Sequence, residues 1–438
     1  MEEARRGEQL EFSLQPERLK VGSREERASF GRLSIIANGC LMTEGVALDS
    51  NELQPGPYVS GYHLAEWLVR NWWRLAYEPS LTDDPDETPM NWDFAHWMST
   101  IGEGYVWPNI QLASDGFQVS VGSFRSEDPY ATAFRYVGAG RSELIGLECL
   151  QDAARKLIDD VLRMLDGAHT ENTELHRLWP ALLEDIDRPD VSVRRRIEAM
   201  LGFDPEEANP AALRKRVADV DKLGCDAVAE LAADANTRAG DVVAASDIER
   251  VQKEVGFDGR VEDVVRPSPD SHVPVWGTCD AWQVGVATAH AVRRGAGLNG
   301  QPVETPMLAS MAGTSARVIN ERDRTAPAIS FAMDDGTGSC RIAMRSKWET
   351  GRRFDLARLI ADRLFENNIG DPLLPATQSY TYRQKAQRAF AAEMLAPIGA
   401  VDDFLDGDRS EDRHHDAAEH FNVSQMTISS LLRNNHRL

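Results

Sequence analysis

The chain has 438 residues, 42% apolar and 27% charged, the composition of a globular protein too long for one ordinary hydrophobic core. Its 48 basic and 70 acidic residues give a formal charge of −22, which argues against broad nucleic-acid or anionic-membrane binding, because phosphate contacts need clustered Lys and Arg. No apolar run reaches bilayer length, the charged Met1–Arg6 lacks the apolar stretch of a secretion signal, and five dispersed cysteines form no Cys-x-x-Cys pair; a cytoplasmic setting with no membrane partner is expected.

Residues 1–27 are charged and read as a loose tail. From 28 to 141 a mixed α/β domain rich in Trp is expected. Leu33–Cys40 reads as a strand ending at Asn38-Gly39, and Pro55-Gly56-Pro57 as a turn. Leu64, Trp67, Leu68, Trp72 and Leu75 fall on one face of an amphipathic helix. Residues 79–89, with three prolines and several acids, read as a loop, and Trp92–Met98 as a short helix. Ile110–Ser114 and Phe117–Val121 form a hairpin around Asp115-Gly116, followed by a strand at Ala131–Val137. Six of the ten Trp lie between 67 and 107. They read as core, with an exposed binding platform as the alternative.

The pattern from 142 to 264 is helical throughout. Leu147, Leu150, Ala154, Leu157, Val161 and Leu165 form one long apolar stripe, and further helices are expected at Val191–Leu201, Pro210–Leu223 and Asp226–Ala235, punctuated by Arg188-Pro189 and Asn209-Pro210. The basic runs Arg194-Arg195-Arg196 and Arg214-Lys215-Arg216 are interleaved with acids and read as solvated helix faces. Pro267–Pro274 reads as a linker.

The third region spans 265–438. Thr278–Arg294 reads as a helix stopped at Gly295-Ala296-Gly297, and Pro306–Met311 as a second, shorter one. Ala328–Met333 and Cys340–Arg345 flank the turn Asp334–Ser339 as a strand hairpin. In Arg352–Phe365, Leu356, Leu359, Ile360 and Leu364 share one helical face; Arg358 and Asp362 are one turn apart and read as an ion pair. Downstream come Arg388-Ala389-Phe390-Ala391-Ala392-Glu393-Met394-Leu395-Ala396-Pro397 and Phe421-Asn422-Val423-Ser424, the latter leading into a closing helix capped by Ser424.

These stretches resemble the ImmA/IrrE family of zinc metallopeptidases over roughly the last 160 to 180 residues. Arg352, Phe354, Leu356 and Ala357 match the lead-in of that family's R-x-F-[ST]-L-A-H-E-[LF]-G-H helix, and 388–397 is similar to its E-A-N-x-F-A-A-E-L-L-M-P. The catalytic positions depart from the pattern. Arg358 stands at the first zinc His, Leu359 at the general-base Glu and Asp362 at the second His; Ala386 stands near the acidic third ligand. Arg offers no lone pair and Leu takes no proton, whereas an H-E-x-x-H helix needs two imidazoles and a base. The resemblance therefore implies an α+β protein whose C-terminal domain is a degenerate zincin-like fold, with no metal, no cofactor and no catalytic residue. Arg358, Leu359 and Asp362 would line a cleft that holds a protein partner, in a regulatory or sensor role within a stress or phage-defence locus.

Two other readings compete. An active zinc endopeptidase would need atypical ligands, and His414-His415-Asp416-Ala417-Ala418-Glu419-His420 offers pairs one helical turn apart. A DNA-binding regulator would use the two C-terminal helices as a helix-turn-helix, although Arg433, His436 and Arg437 are the only bases after His420. No G-x-x-x-x-G-K-[ST] and no G-x-S-x-G occurs.

Overall fold

Leu10, Phe12 and Leu14 alternate with polar residues, and that period-2 pattern makes a strand of the expected tail. The computed structural model describes residues 9–82, 88–126, 133–138, 140–268, 271–321, 326–365 and 370–437. Strand β1 (Leu10–Pro16) pairs antiparallel with β2 (Phe30–Ala37) from Leu10↔Ala37 to Pro16↔Gly31. Between them Ser23 and Glu26 form a reciprocal capping box on α1 (Arg24–Ser29). The tail reading is corrected for 10–27: the flanking charge hid the alternation, and Phe12 is buried. Residues 1–8 lie outside the described residues.

The chain divides into two compact units, Met1–Leu213 and Arg214–Leu438. It is a mixed α+β protein, 50% helix and 18% strand. Among the described residues no helix is long and apolar enough to cross a membrane.

The first unit continues with β3 (Cys40–Leu41), β4 (Gly45–Ala47), β5 (Glu52–Gln54), β6 (Tyr58–Ser60), α2 (Gly61–Arg70), α3 (Trp72–Tyr77), α4 (Met90–His96), β7 (Ile110–Ser114), β8 (Gln118–Ser123), β9 (Phe134–Tyr136), β10 (Arg141–Gly146), α5 (Leu147–Gly167), α6 (Glu174–Asp187) and α7 (Pro189–Met200). Its strands form three small antiparallel sheets, β1-β2-β3 with β6 on β2, β10-β8-β7, and β5-β4-β9. The β7–β8 hairpin turns at Asp115-Gly116 as expected, with Gly116 at φ +96°. The single helix expected over 64–75 is two, broken at Asn71 (φ −96°, ψ 7°). The strand expected at Ala131–Val137 falls partly outside the described residues, and 134–136 is β9.

The Trp side chains are core. Trp67, Trp72, Trp73, Trp92 and Trp107 are buried, and the N–H groups of Trp67, Trp92 and Trp107 find the carbonyls of Phe94, Pro79 and Gly102. Trp92 stacks at 4.0 Å on His96, which is buried with Glu78 and Arg74. His96 Nδ1 donates to the Leu112 carbonyl, and Nε2 lies 3.1 Å from Glu78 Oε2, which also accepts from Arg74 Nε at 2.6 Å. Burial pushes the Glu78 carboxyl up, but His96 and Arg74 outweigh it and hold it below the ordinary value.

The second unit takes in α8 (Pro210–Leu223), within which the boundary falls, then α9 (Cys225–Thr237), α10 (Ala245–Val255), β11 (Phe257–Val264), α11 (Ala281–Gly295), α12 (Thr305–Met311), β12 (Ala312–Thr314), α13 (Arg317–Asn320), β13 (Ser330–Asp334), β14 (Ser339–Ala343), α14 (Glu349–Leu364), β15 (Leu373–Ala376), α15 (Tyr382–Leu395), α16 (Ile398–Leu405), α17 (Glu411–Phe421) and α18 (Gln425–Asn434). The stretch 142–264 is thus helical except at its ends. β10 opens it, and β11, written in charged residues, pairs with both β12 and β14. The sheet runs β12-β11-β14-β13-β15, antiparallel throughout. Trp282 and Trp348 stand out from this unit, 55% and 73% exposed.

Helices α11 and α15 pack with almost no space between backbones. A Cβ on Gly285 would lie 2.4 Å from the Ala386 carbonyl oxygen and 2.8 Å from the Phe390 nitrogen, so glycine is needed there for the close approach. Gly285→Val is expected to cost about 1–3 kcal/mol by overpacking, measured by urea unfolding followed by far-ultraviolet circular dichroism.

Candidate functional site

Helix α14 carries Arg358, Leu359 and Asp362, and its central turns are buried from Asp355 to Asp362. Leu359 packs in the core; Arg358 and Asp362 are buried as well. None of the three faces solvent, so none lines an open cleft. A charge taken from water needs compensation, and each finds it on a different neighbour.

Asp362 is held by Arg383 of α15 through a two-pronged fork, Nε to Oδ1 at 2.7 Å and Nη2 to Oδ2 at 2.6 Å. Arg358 donates through Nη2 to the Thr377 carbonyl and to Gln384 Oε1, and its carboxylate partner is Asp355, at 3.7 Å. The expected pairing of Arg358 with Asp362 is therefore corrected: the i, i+4 spacing is right, but a guanidinium and an amide from α15 enter between the turns. Gln384 also accepts from Thr377 N at 2.9 Å and donates to the Pro375 carbonyl at 3.1 Å. Asp355 Oδ2 accepts from Ser330 Oγ at 2.6 Å. Burial pulls the Arg358 guanidinium below its ordinary range against the opposing charge of Asp355. Arg383, equally buried, is lifted above it because the Asp362 fork more than offsets desolvation.

Above this layer sits α9. Glu230 Oε2 accepts from Thr381 Oγ1 at 2.9 Å and from Ser379 Oγ at 3.2 Å. One turn on, Asp234 Oδ1 accepts from Gln378 N at 2.9 Å, and its Oδ2 accepts from Arg238 Nε at 2.8 Å. At the other end Asp371 Oδ2 accepts from Ala227 N at 3.0 Å. Burial raises the Glu230 carboxyl; Arg383 and the two hydroxyls oppose this and Asp362 adds to it. Burial likewise raises Asp371.

Other buried arginines in this unit staple loops. Arg352 donates twice to the Val318 carbonyl, at 2.8 and 2.6 Å, and Arg353 reaches the carbonyls of Asn422 and Val303. Arg293 donates to the carbonyls of Asn299, Gln301 and Met394, and burial pulls it down to about 10.

The donor set does not fit zinc. Of the four positions only Asp362 carries a ligating group, and both its oxygens are engaged by Arg383; Ala386 is a buried methyl. Among the described residues no group of three His, Cys, Asp or Glu side chains is placed to hold a metal ion. The alternative ligands on α17 are dispersed. His415 pairs with Glu419 at 3.3 Å in solvent, Asp416 pairs with Arg413, and His420 stacks on Phe404.

Comparison with family models, with curated proteins and with solved structures gives no match.

Sequence reasoning placed Arg358, Leu359 and Asp362 on one helix, lining a cleft, and missed their burial together with Arg383, Gln384, Glu230 and Asp234. The signal for the last two was present: two acids one turn apart in the otherwise small, apolar run Ala227–Ala235 demand buried partners.

The fork gives a direct test. Arg383→Met or Asp362→Leu alone is expected to cost about 3–5 kcal/mol, because each strands a buried charge, while the double variant recovers much of the loss. Urea midpoints of the four proteins measure this cycle.

Proposed function

We propose that the second unit is a metal-free domain of ImmA/IrrE-like, zincin-like fold that serves as a regulatory or sensor module through a protein partner and does not cut. The observation that carries this is the fork at Asp362: the one ligating group left at the resembled metal positions is neutralised and sterically closed by Arg383. The order of antiparallel hairpin β13–β14, helix α14, strand β15 and helix α15 supports the fold assignment, because the resemblance expects a hairpin before the metal helix and the F-A-A-E segment after it. The stress or phage-defence setting rests on the resemblance alone.

The DNA-binding reading gains little from the C-terminal helices. Ser424 caps α18 and accepts from Thr427 N at 3.1 Å, as a helix-turn-helix would have it. But α17 turns Glu411, Asp412, Asp416 and Glu419 to solvent, which repels phosphate. The basic run Arg194-Arg195-Arg196 is also committed: Arg194 and Arg195 pair with Asp185, Glu198 and Glu206, and Arg196 lies over Tyr77.

Elemental analysis of the purified protein after zinc supplementation tests the proposal. A zinc content near zero is expected; about one zinc per chain, the stoichiometry of a catalytic site, overturns it. A salt-dependent mobility shift of duplex DNA at moderate ionic strength would move the assignment to the DNA-binding reading.

A further inference from the structure

We propose that the exposed side of the α11–α15 pair is a docking face of the second unit, and that its partner is an acidic amphipathic protein helix, with an apolar side chain set against Trp282 and carboxylates toward Lys385 and Arg388. This deepens the partner-binding reading above, on which it rests, by giving the partner's chemistry and its place on the fold.

The face follows from the packing. The two helices run in the same direction: Tyr382 Oη donates to the Cys279 carbonyl at 2.6 Å where they begin, and His290 Nε2 lies 2.8 Å from Glu393 Oε1 further along. Gly285 sits against Ala386 and Phe390, with Ala389 beside them. At about 100° per residue, that contact turns Trp282, Val286 and His290 of α11 and Lys385, Ala389 and Ala392 of α15 to one shared outer side. Trp282, His290 and Lys385 are exposed, and the three apolar residues among them are half-buried.

Two observations point to a ligand. The first is the indole. Trp282 is 55% exposed, yet its N–H is already satisfied by Asp280 Oδ2 at 3.0 Å. The ring is thereby held at the surface with its apolar area in water, and an ordered indole loses little entropy when a partner covers it. The second is charge. The chain has 70 acidic residues, but α11 carries none from Ala281 to Gly295 and α15 none from Tyr382 to Ala392. The carboxylates at the two ends are engaged, Asp280 by the indole and the buried Glu393 by His290 and the Ile398 amide. Between them α15 presents Lys385 and Arg388, the latter over the Tyr380 ring and donating to the Ser379 carbonyl at 3.0 Å.

The formal charge of −22 repels an acidic partner in general, so a basic, aromatic island both admits it and fixes where it lands. The apolar strip of Trp282, Val286 and Ala389 needs an apolar side chain to cover it, and two cations are a thin footprint for phosphate. A helix with apolar anchors one turn apart and acidic flanks meets both demands.

Fluorescence anisotropy of labelled synthetic peptides titrated with the full chain tests this. The probes are helices of about 18 residues with Leu at i, i+3, i+4 and i+7 and Glu on the other face, and the same peptides with Lys in place of Glu. The Glu peptides are expected to bind with a Kd below about 1 mM, and the Lys peptides are not. Trp282→Ala weakens binding about tenfold or more, and Lys385→Glu with Arg388→Glu abolishes it. Trp348→Ala, which removes an exposed indole elsewhere in the unit, leaves it unchanged. Should Arg388→Glu fail to fold, Trp282→Ala and Lys385→Glu decide. Absence of binding, equal binding of the two peptide sets, or binding indifferent to Trp282→Ala overturns the inference. A Trp282-dependent shift of a single-stranded oligonucleotide, or Trp282-dependent self-association in sedimentation, gives the face to nucleic acid or to a second copy and overturns it as well. Zinc content read on the same sample reports separately on the metal-free reading.

Discussion

The salt link between Asp362 and Arg383 is the constraint on which the second unit turns. A carboxylate with no exposure is tolerable only if something of opposite charge meets both its oxygens, and the guanidinium fork does so from the neighbouring helix. That fixes the rotation of α15 against α14. Once α15 is set, Gln384 falls one residue on and takes Arg358 and the Thr377 amide. Thr381, the N-cap of α15, then presents its hydroxyl to α9. The layer is a chain of dependent satisfactions, each closing a polar group that the previous one buried.

The same logic recurs with arginines that meet backbone carbonyls. Arg293, Arg352 and Arg353 spend their planar sets of donors on loop carbonyls. Irregular segments have no ladder to satisfy their backbone, and one guanidinium can serve two or three carbonyls at once. The loops before α12, around α13 and after α17 are thereby tied to α11 and α14. An acidic chain thus uses a set of its buried arginines as structural fastening.

Much of the second unit was legible. The hairpin, the buried helix α14, the F-A-A-E helix and the closing pair at Phe421–Ser424 stand where periodicity and punctuation put them, because their sequences are locally consistent. What failed did so for physical reasons. β11 is a strand written in charged residues, and only its pairing partners far along the chain reveal it; β1 alternates, but the charge around it hid the pattern. The separation of Arg358 from Asp362 could not be read from one helix, because the competing donors arrive from α15. The part played by α9 was hidden longest. α9 reads as an ordinary Ala-rich helix until Ser379 and Thr381 are seen beneath Glu230.

The distribution of indoles has a spectroscopic corollary. In the first unit five Trp between 67 and 107 are enclosed, one of them stacked against an imidazole, whereas Trp282 and Trp348 of the second unit stand in water. Enclosed indoles emit toward the blue and hydrated ones toward the red. The two halves of the chain therefore carry different optical signatures without any label, and a melt recorded at both edges of the emission band follows each half on its own channel.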